Sequence, residues 1–221
     1  MSEPLQSRVI EVLLQRHGRT FAEELEIPVE QGSPSVLFRL LCASLLFSAR
    51  ISARNATKAA RALTDQGWTT PEKMAGASWE QRVKVLNESG YARYDESTAT
   101  MLGNTCQMLL ERYGGDLRNL REEAGRQAPK ERQLLMQFPG IGNTGANIFF
   151  REAQVVWDEL YPFADERVLS AARNLNLDDS PQDLASMVGD SQFPRLAAAL
   201  TRVQLERDID GVLKAAQEAN D

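Results

Sequence analysis

Apolar residues recur along this chain at spacings of three and four, a period that predicts helices almost from end to end. Leu5, Val9, Val12 and Leu13 place one apolar stripe on a helix over residues 5–16, closed by His17-Gly18. Residues 20–32 read as a polar connection. Ser33 is a capping residue and Pro34 suits a first helical position; the run from there to Phe47 is nearly all apolar, which predicts a buried central helix. A second helix resumes near Ser52 and ends at Gly67, followed by short helices over 71–75 and 78–86. After a loop at residues 90–94 the helical period returns over 95–113, and the charged, irregular stretch 118–130 reads as a surface excursion. An apolar helix end at Leu134-Leu135-Met136 then breaks at Phe138-Pro139-Gly140-Ile141-Gly142 and re-enters a helix through Asn143 or Thr144. Helical patterns follow over 168–175, 181–187 and 193–205, with an acidic amphipathic tail over 206–221. No alternating segment is long enough for a strand and no repeat is present, so the expected class is all-α.

The break at 138–142 carries the most specific chemistry. Proline stops the preceding helix, and two glycines spaced by one apolar residue permit backbone angles that other residues avoid. Ile141 between them is expected to point inward and pin the turn. Asn143 and Thr144 are N-cap types, so the helix start presents outward-facing N–H groups backed by the positive end of the helix dipole. Gly140, Ile141, Gly142, Asn143 and Thr144 therefore form a candidate phosphate cradle.

The pattern Leu-Leu-x-x-Phe-Pro-Gly-Ile-Gly-x-x-x-Ala-Asn resembles the helix-hairpin-helix of the endonuclease III-like DNA glycosylase superfamily. So does its context: Tyr161-Pro162-Phe163-Ala164-Asp165 follows where that family has a catalytic aspartate, and 40–50, ending Ser48-Ala49-Arg50, looks like the family's Leu/Ser-Ala-Gln helix. The resemblance spans roughly 33–177. It implies a two-lobed helical fold, one lobe over 33–157 containing the hairpin and the other joining 1–32 to 158–221, with Asp165 in the cleft between them. It implies that Asp165 is catalytic, that Arg50 wedges into the duplex in place of an extruded base, and that Arg54 and Lys58 contact the DNA backbone. Trp157, Tyr161 and Phe163, with Tyr91 and Tyr94, are the candidates for a base-stacking pocket.

Two departures from the family sharpen the expectation. Bifunctional members carry a Schiff-base lysine two residues past the second glycine; here that position is Thr144, and no lysine lies between Lys130 and Lys214. Many relatives end in four cysteines that hold an iron–sulfur cluster, whereas no cysteine follows Cys106 here. The resemblance thus implies a monofunctional glycosylase with no cofactor, although a monovalent cation could sit at the hairpin. A non-catalytic DNA-binding or damage-sensing protein on the same fold is the rival.

Composition adjusts this picture. A chain of 221 residues, 43% of them hydrophobic, can bury a sizeable core. An acidic start, no membrane-length apolar run and two cysteines in apolar helices (Cys42 and Cys106) point to a cytoplasmic protein; the resemblance implies a nucleoid-associated monomer acting on double-stranded DNA. Net charge is −6, against a generic nucleic-acid binder, but the excess is uneven. Residues 45–160 carry 15 basic and 14 acidic side chains, and 161–221 carry 6 and 11. Arg50, Arg54, Lys58 and Arg61 recur with no acid among them. His17, the single histidine, sits in the last turn of a helix, a placement that explains it without a catalytic role.

Overall fold

The structure, a computed structural model, describes residues 3–218. The ends of the chain, including the last three residues of the expected acidic tail, lie outside the described residues. The described residues contain helices and turns and no strand. The chain divides into two compact units: one runs to Glu23 and resumes at Leu160, and the other is Glu24–Glu159.

The chain opens with α1 (Glu3–His17) and a single turn, α2 (Phe21–Glu24), then passes into the larger unit. Here the expected polar connection is instead a buried strap: Leu25, Ile27 and Val29 are in the core. Arg39 donates to the Leu25 and Glu26 carbonyls at 3.1 and 3.0 Å, and Arg61 to the Glu24 carbonyl at 2.6 Å. Those bonds explain why the larger unit begins at Glu24 rather than near Ser33.

The larger unit is built on α3 (Pro34–Ser48), in which Val36 to Phe38 and Leu40 to Leu46 are all buried. It packs against α4 (Ala53–Asp65), whose N-cap Ser52 accepts the Asn55 N–H. Next come α5 (Pro71–Ala75), α6 (Trp79–Leu86) and α7 (Asp95–Tyr113), with α5 and α6 both lying on α7. Ser78 and Gln81 close a capping box at the start of α6, the reciprocal arrangement that satisfies two orphan donors. The expected surface excursion is two more helices, α8 (Leu117–Glu123) and α9 (Ala128–Leu135). Leu117, Leu120 and Ala124 are buried, so a three-four spacing was present beneath the density of charge. The unit's last helix is α10 (Asn143–Ala153), laid along α3. Gly145 makes room for Ile141, whose Cδ1 would lie 3.3 Å from a Cβ there.

Back in the smaller unit, α11 (Glu166–Asn174), α12 (Pro181–Val188), α13 (Phe193–Glu206) and α14 (Ile209–Glu218) complete the fold. Helix α13 packs against α1, α11 and α12, and α14 against α1. Val9, Leu13, Val168, Leu175, Leu196, Leu200 and Val212 share one core, where truncating a leucine to alanine costs about 2–5 kcal/mol. His17 joins the ends of this unit. Its Nε2 lies 2.9 Å from Asp208 and its Nδ1 3.3 Å from Glu206, which assigns it a structural place.

Candidate functional site

The turn between α9 and α10 runs from Met136 to Gly142 and is seated on α3 and α7. Phe138 and Ile141 are buried, and the Ile141 N–H donates to the Phe138 carbonyl at 3.0 Å. The Ser48 hydroxyl reaches the Gly140 carbonyl at 3.3 Å, and the Thr105 hydroxyl reaches the Pro139 carbonyl at 3.4 Å. The Arg112 guanidinium also donates to the Gln137 side chain.

The two glycines differ in why they are there. Gly140 has φ of +83°, and a Cβ on it would meet the Met101 sulfur at 2.8 Å and Leu45 Cγ at 3.2 Å. Both its conformation and its surroundings exclude a side chain. Gly142 has an extended backbone (φ −98°, ψ −164°), and a Cβ there would meet nothing within 4 Å. Open space, rather than a strained backbone, surrounds it.

Gly142, rather than Asn143 or Thr144, is the N-cap of α10, and no side chain caps the helix. Asn143 and Thr144 are instead the first two helical residues, and both are exposed. The first amide bonded within the helix is that of Ala146, which donates to the Gly142 carbonyl at 2.9 Å. The amides of Asn143, Thr144 and Gly145 have no acceptor inside α10. An uncapped N-terminus with unspent donors behind an open glycine is an arrangement whose charge and geometry suit an anion.

Helix α3, whose final residue Ser48 contacts this turn, leads directly to Arg50. Arg50, Arg54 and Lys58 are exposed, and their side chains form no ion pair among the described residues. Asn55, on the same helix as Arg54 and Lys58, donates to the Gly90 carbonyl at 3.0 Å and ties α4 to the segment before Tyr91.

The pocket candidates separate sharply. Tyr91 is 0% exposed and lies in a π-helical turn (Asn87–Tyr91), with its hydroxyl donated to the Leu46 carbonyl at 2.7 Å. Burial pushes that phenol up to about 12. It is a core residue, and the expectation that it offers a ring to an extruded base is corrected. Trp157 is likewise core: it is 1% exposed, edge-on to Phe149 at 5.3 Å and covered by the Arg121 guanidinium at 5.6 Å. Tyr94 is half-buried, edge-on to Tyr91, with Arg93 over its ring. Tyr161 and Phe163 are half-buried in the smaller unit. The Tyr161 hydroxyl is bonded to Asp190 at 2.8 Å; burial and that carboxylate raise it to about 12.

Asp165 is the N-cap of α11, and its Oδ1 accepts the Val168 N–H at 3.2 Å. The bond fixes the carboxylate's rotamer on a rigid helix end. The residues that sequence reasoning did not single out are the buried Glu131 and the half-buried Arg121 and Glu159, a charged cluster on α8, α9 and the turn Asp158–Leu160. No local pattern marks such a cluster, because its members come from separate elements.

The fold is shared with solved structures of endonuclease III. A non-covalent endonuclease III–DNA complex aligns with a TM-score of 0.50 at 20% identity, over 76% of this chain and 72% of that one. A trapped endonuclease III–DNA covalent intermediate, an estranged-adenine complex, gives 0.49 at 22% identity over 76% and 73%. No family model and no curated protein matches the chain. Among the described residues no helix is long and apolar enough to cross a membrane.

Proposed function

We propose that the protein is a monofunctional DNA glycosylase of the endonuclease III-like superfamily. Acting as a monomer on double-stranded DNA, it would hydrolyse the N-glycosidic bond of a damaged or mismatched base rotated out of the stack. The observation that carries this reading is the uncapped N-terminus of α10 behind the open Gly142, on a fold shared with an endonuclease III solved with DNA. Gly140, Gly142 and Thr144 supply amide donors to one backbone phosphate, and Arg50, Arg54 and Lys58 supply unpaired positive charge to its neighbours. Few phosphates can be neutralised on a chain of net charge −6, so non-specific affinity is weak and its dependence on salt is shallow.

Asp165 is the group we assign to the chemistry. Cleavage of the bond places positive charge on the deoxyribose, and a fixed carboxylate near C1′ stabilises that charge and helps orient water. Thr144 stands where bifunctional members have their amine, so no Schiff base forms there and the abasic strand stays intact.

A second reading, a non-catalytic damage sensor, is favoured by one observation: Asp165 caps α11 as an ordinary structural aspartate does. One experiment separates the two. Duplexes carrying a panel of damaged or mismatched bases are incubated with protein and assayed with and without alkali. Strand breaks that need alkali support the monofunctional glycosylase, breaks without alkali restore a lyase, and binding with no breaks supports the sensor. Asp165→Asn should abolish base release with binding nearly intact; full activity in that variant would overturn the mechanism.

A further inference from the structure

The helix that leads into the phosphate-gripping turn carries a carboxyl group that the reading above does not use. Glu131, on α9, lies four residues before the fully buried Leu135 and so shares its inward face. It is 0% exposed, and neither of its oxygens has a hydrogen-bond donor. Its neighbour Glu159 accepts from Arg121 Nε and Nη2 at 2.6 and 2.5 Å. One buried carboxyl thus lies behind a half-buried ion pair, with the guanidinium committed to the other carboxylate. An ionised Glu131 there would be a buried charge with no donor; a protonated one is neutral and can give its hydrogen to Glu159.

The other charges around this corner do not replace that proton. Asp158 sits beside Glu159 in the turn and acts on Arg121. Arg132, next to Glu131 on α9, holds its guanidinium over the Phe150 ring at 5.0 Å. Arg151 and Glu152 are the buried charges of α10, the helix into which α9 leads. Desolvation, with the hydrogen bond to Glu159 and that group's charge, pushes Glu131 up to about 8, Arg121 pulling the other way. Burial works against ionisation of Glu159 too, but Arg121 and the Glu131 hydrogen hold it well below the usual carboxylate range.

We propose that Glu131 is a positioning residue for the turn Met136–Gly142, acting as a neutral acid whose single proton joins α9 to Glu159. Loss of the proton sets a buried carboxylate against a half-buried one beside a single guanidinium and slackens the helix on which the turn is mounted. That the turn grips DNA rests on the function proposed above; that the proton positions the turn does not.

The sign follows from the direction of the shift. Glu131 in the folded chain holds its proton above the range of an unfolded glutamate, so its contribution to stability is complete below about pH 4.3, the unfolded value. It declines as pH rises towards about 8, where the folded group ionises, and changes no further above that. The 13Cα resonances of Gly140 and Gly142 are followed from pH 6 to pH 9 in the wild type and in Glu131→Gln, which keeps a donor and cannot ionise. Thermal midpoints and affinity for an undamaged duplex are measured at the same pH values and fixed salt. In the wild type both glycine resonances should titrate with a midpoint near that of Glu131, the thermal midpoint should fall across the range and the duplex should bind several-fold more weakly at pH 9. Glu131→Gln should flatten all three. Glycine resonances that do not titrate in the wild type, or that titrate identically in the variant, would overturn the proposal; the wild-type arm decides even if the variant does not fold. Titrating glycines with no duplex binding at any pH would uphold the positioning role and sink the DNA reading.

Discussion

The same substitution at two glycines separated by a single residue should have different effects. Alanine at Gly140 must adopt φ of +83°, which costs an L-residue about 1–2 kcal/mol. Its methyl group would also stand 2.8 Å from the Met101 sulfur and 3.2 Å from Leu45 Cγ. Methionine can swing aside whereas Leu45 is buried in α3, so the steric part lies toward the low end of the roughly 1–3 kcal/mol usual for overpacking. The total is about 2–4 kcal/mol, or a Tm drop of about 5–15 °C for a chain of this size. Alanine at Gly142 enters open space on an extended backbone, so stability should change by less than about 1 kcal/mol. On the function proposed above, its methyl stands where a phosphate must approach the start of α10. Displacing one charge-assisted hydrogen bond of about 1.5 kcal/mol weakens duplex affinity about tenfold. Thermal melts and duplex titrations of both variants measure the two quantities separately. A Gly140→Ala protein that melts with the wild type, or a Gly142→Ala protein that loses stability but keeps its affinity, would refute the division of roles.

Tyr91→Phe should destabilise by about 1–3 kcal/mol in denaturant titrations, because the Leu46 carbonyl loses its buried donor, and should leave base release unchanged. Asp165→Ala should lower stability by about 1 kcal/mol through loss of the α11 cap; an alanine variant as stable as Asp165→Asn would show that the Val168 bond contributes nothing. Arg50→Ala should reduce base release more than it reduces non-specific duplex binding, and equal losses would remove Arg50 as the wedge.

The parts legible in the sequence are those written in neighbouring residues. Ser33-Pro34, Ser52, Ser78 and Gly114 mark helix ends by the local chemistry of caps and left-handed termini, and the unbroken apolar run from Val36 marks α3 as central. The glycine turn was legible for the same reason, although which residue caps α10 was not: Asn143 and Thr144 are good caps whose side chains the backbone of Gly142 leaves unused. The strap at Leu25, Ile27 and Val29 was missed because apolar residues two apart fit no helical stripe, and only Arg39 and Arg61 reveal what it packs on. Tyr91, in a loop with Arg93 and Tyr94, reads from sequence either as a ring for stacking on bases or as a cap on a helix bundle; its destination depends on the carbonyl of Leu46, 45 residues away. Glu131 looked like one more charge in a charged stretch until Arg121 and Glu159 were brought to it.

The smaller unit is made from both ends of the described chain, with α1 covered by α13 and α14. On the ribosome, α1 therefore emerges with Val9 and Leu13 facing water and waits while all of Glu24–Glu159 is synthesised. The contiguous unit can close first, as a domain made in one piece, whereas the one bearing Asp165 closes only once α13 and α14 have been made. A nascent chain arrested before Phe193 would accordingly carry a finished hairpin unit, a stranded first helix and an aspartate without its supporting core.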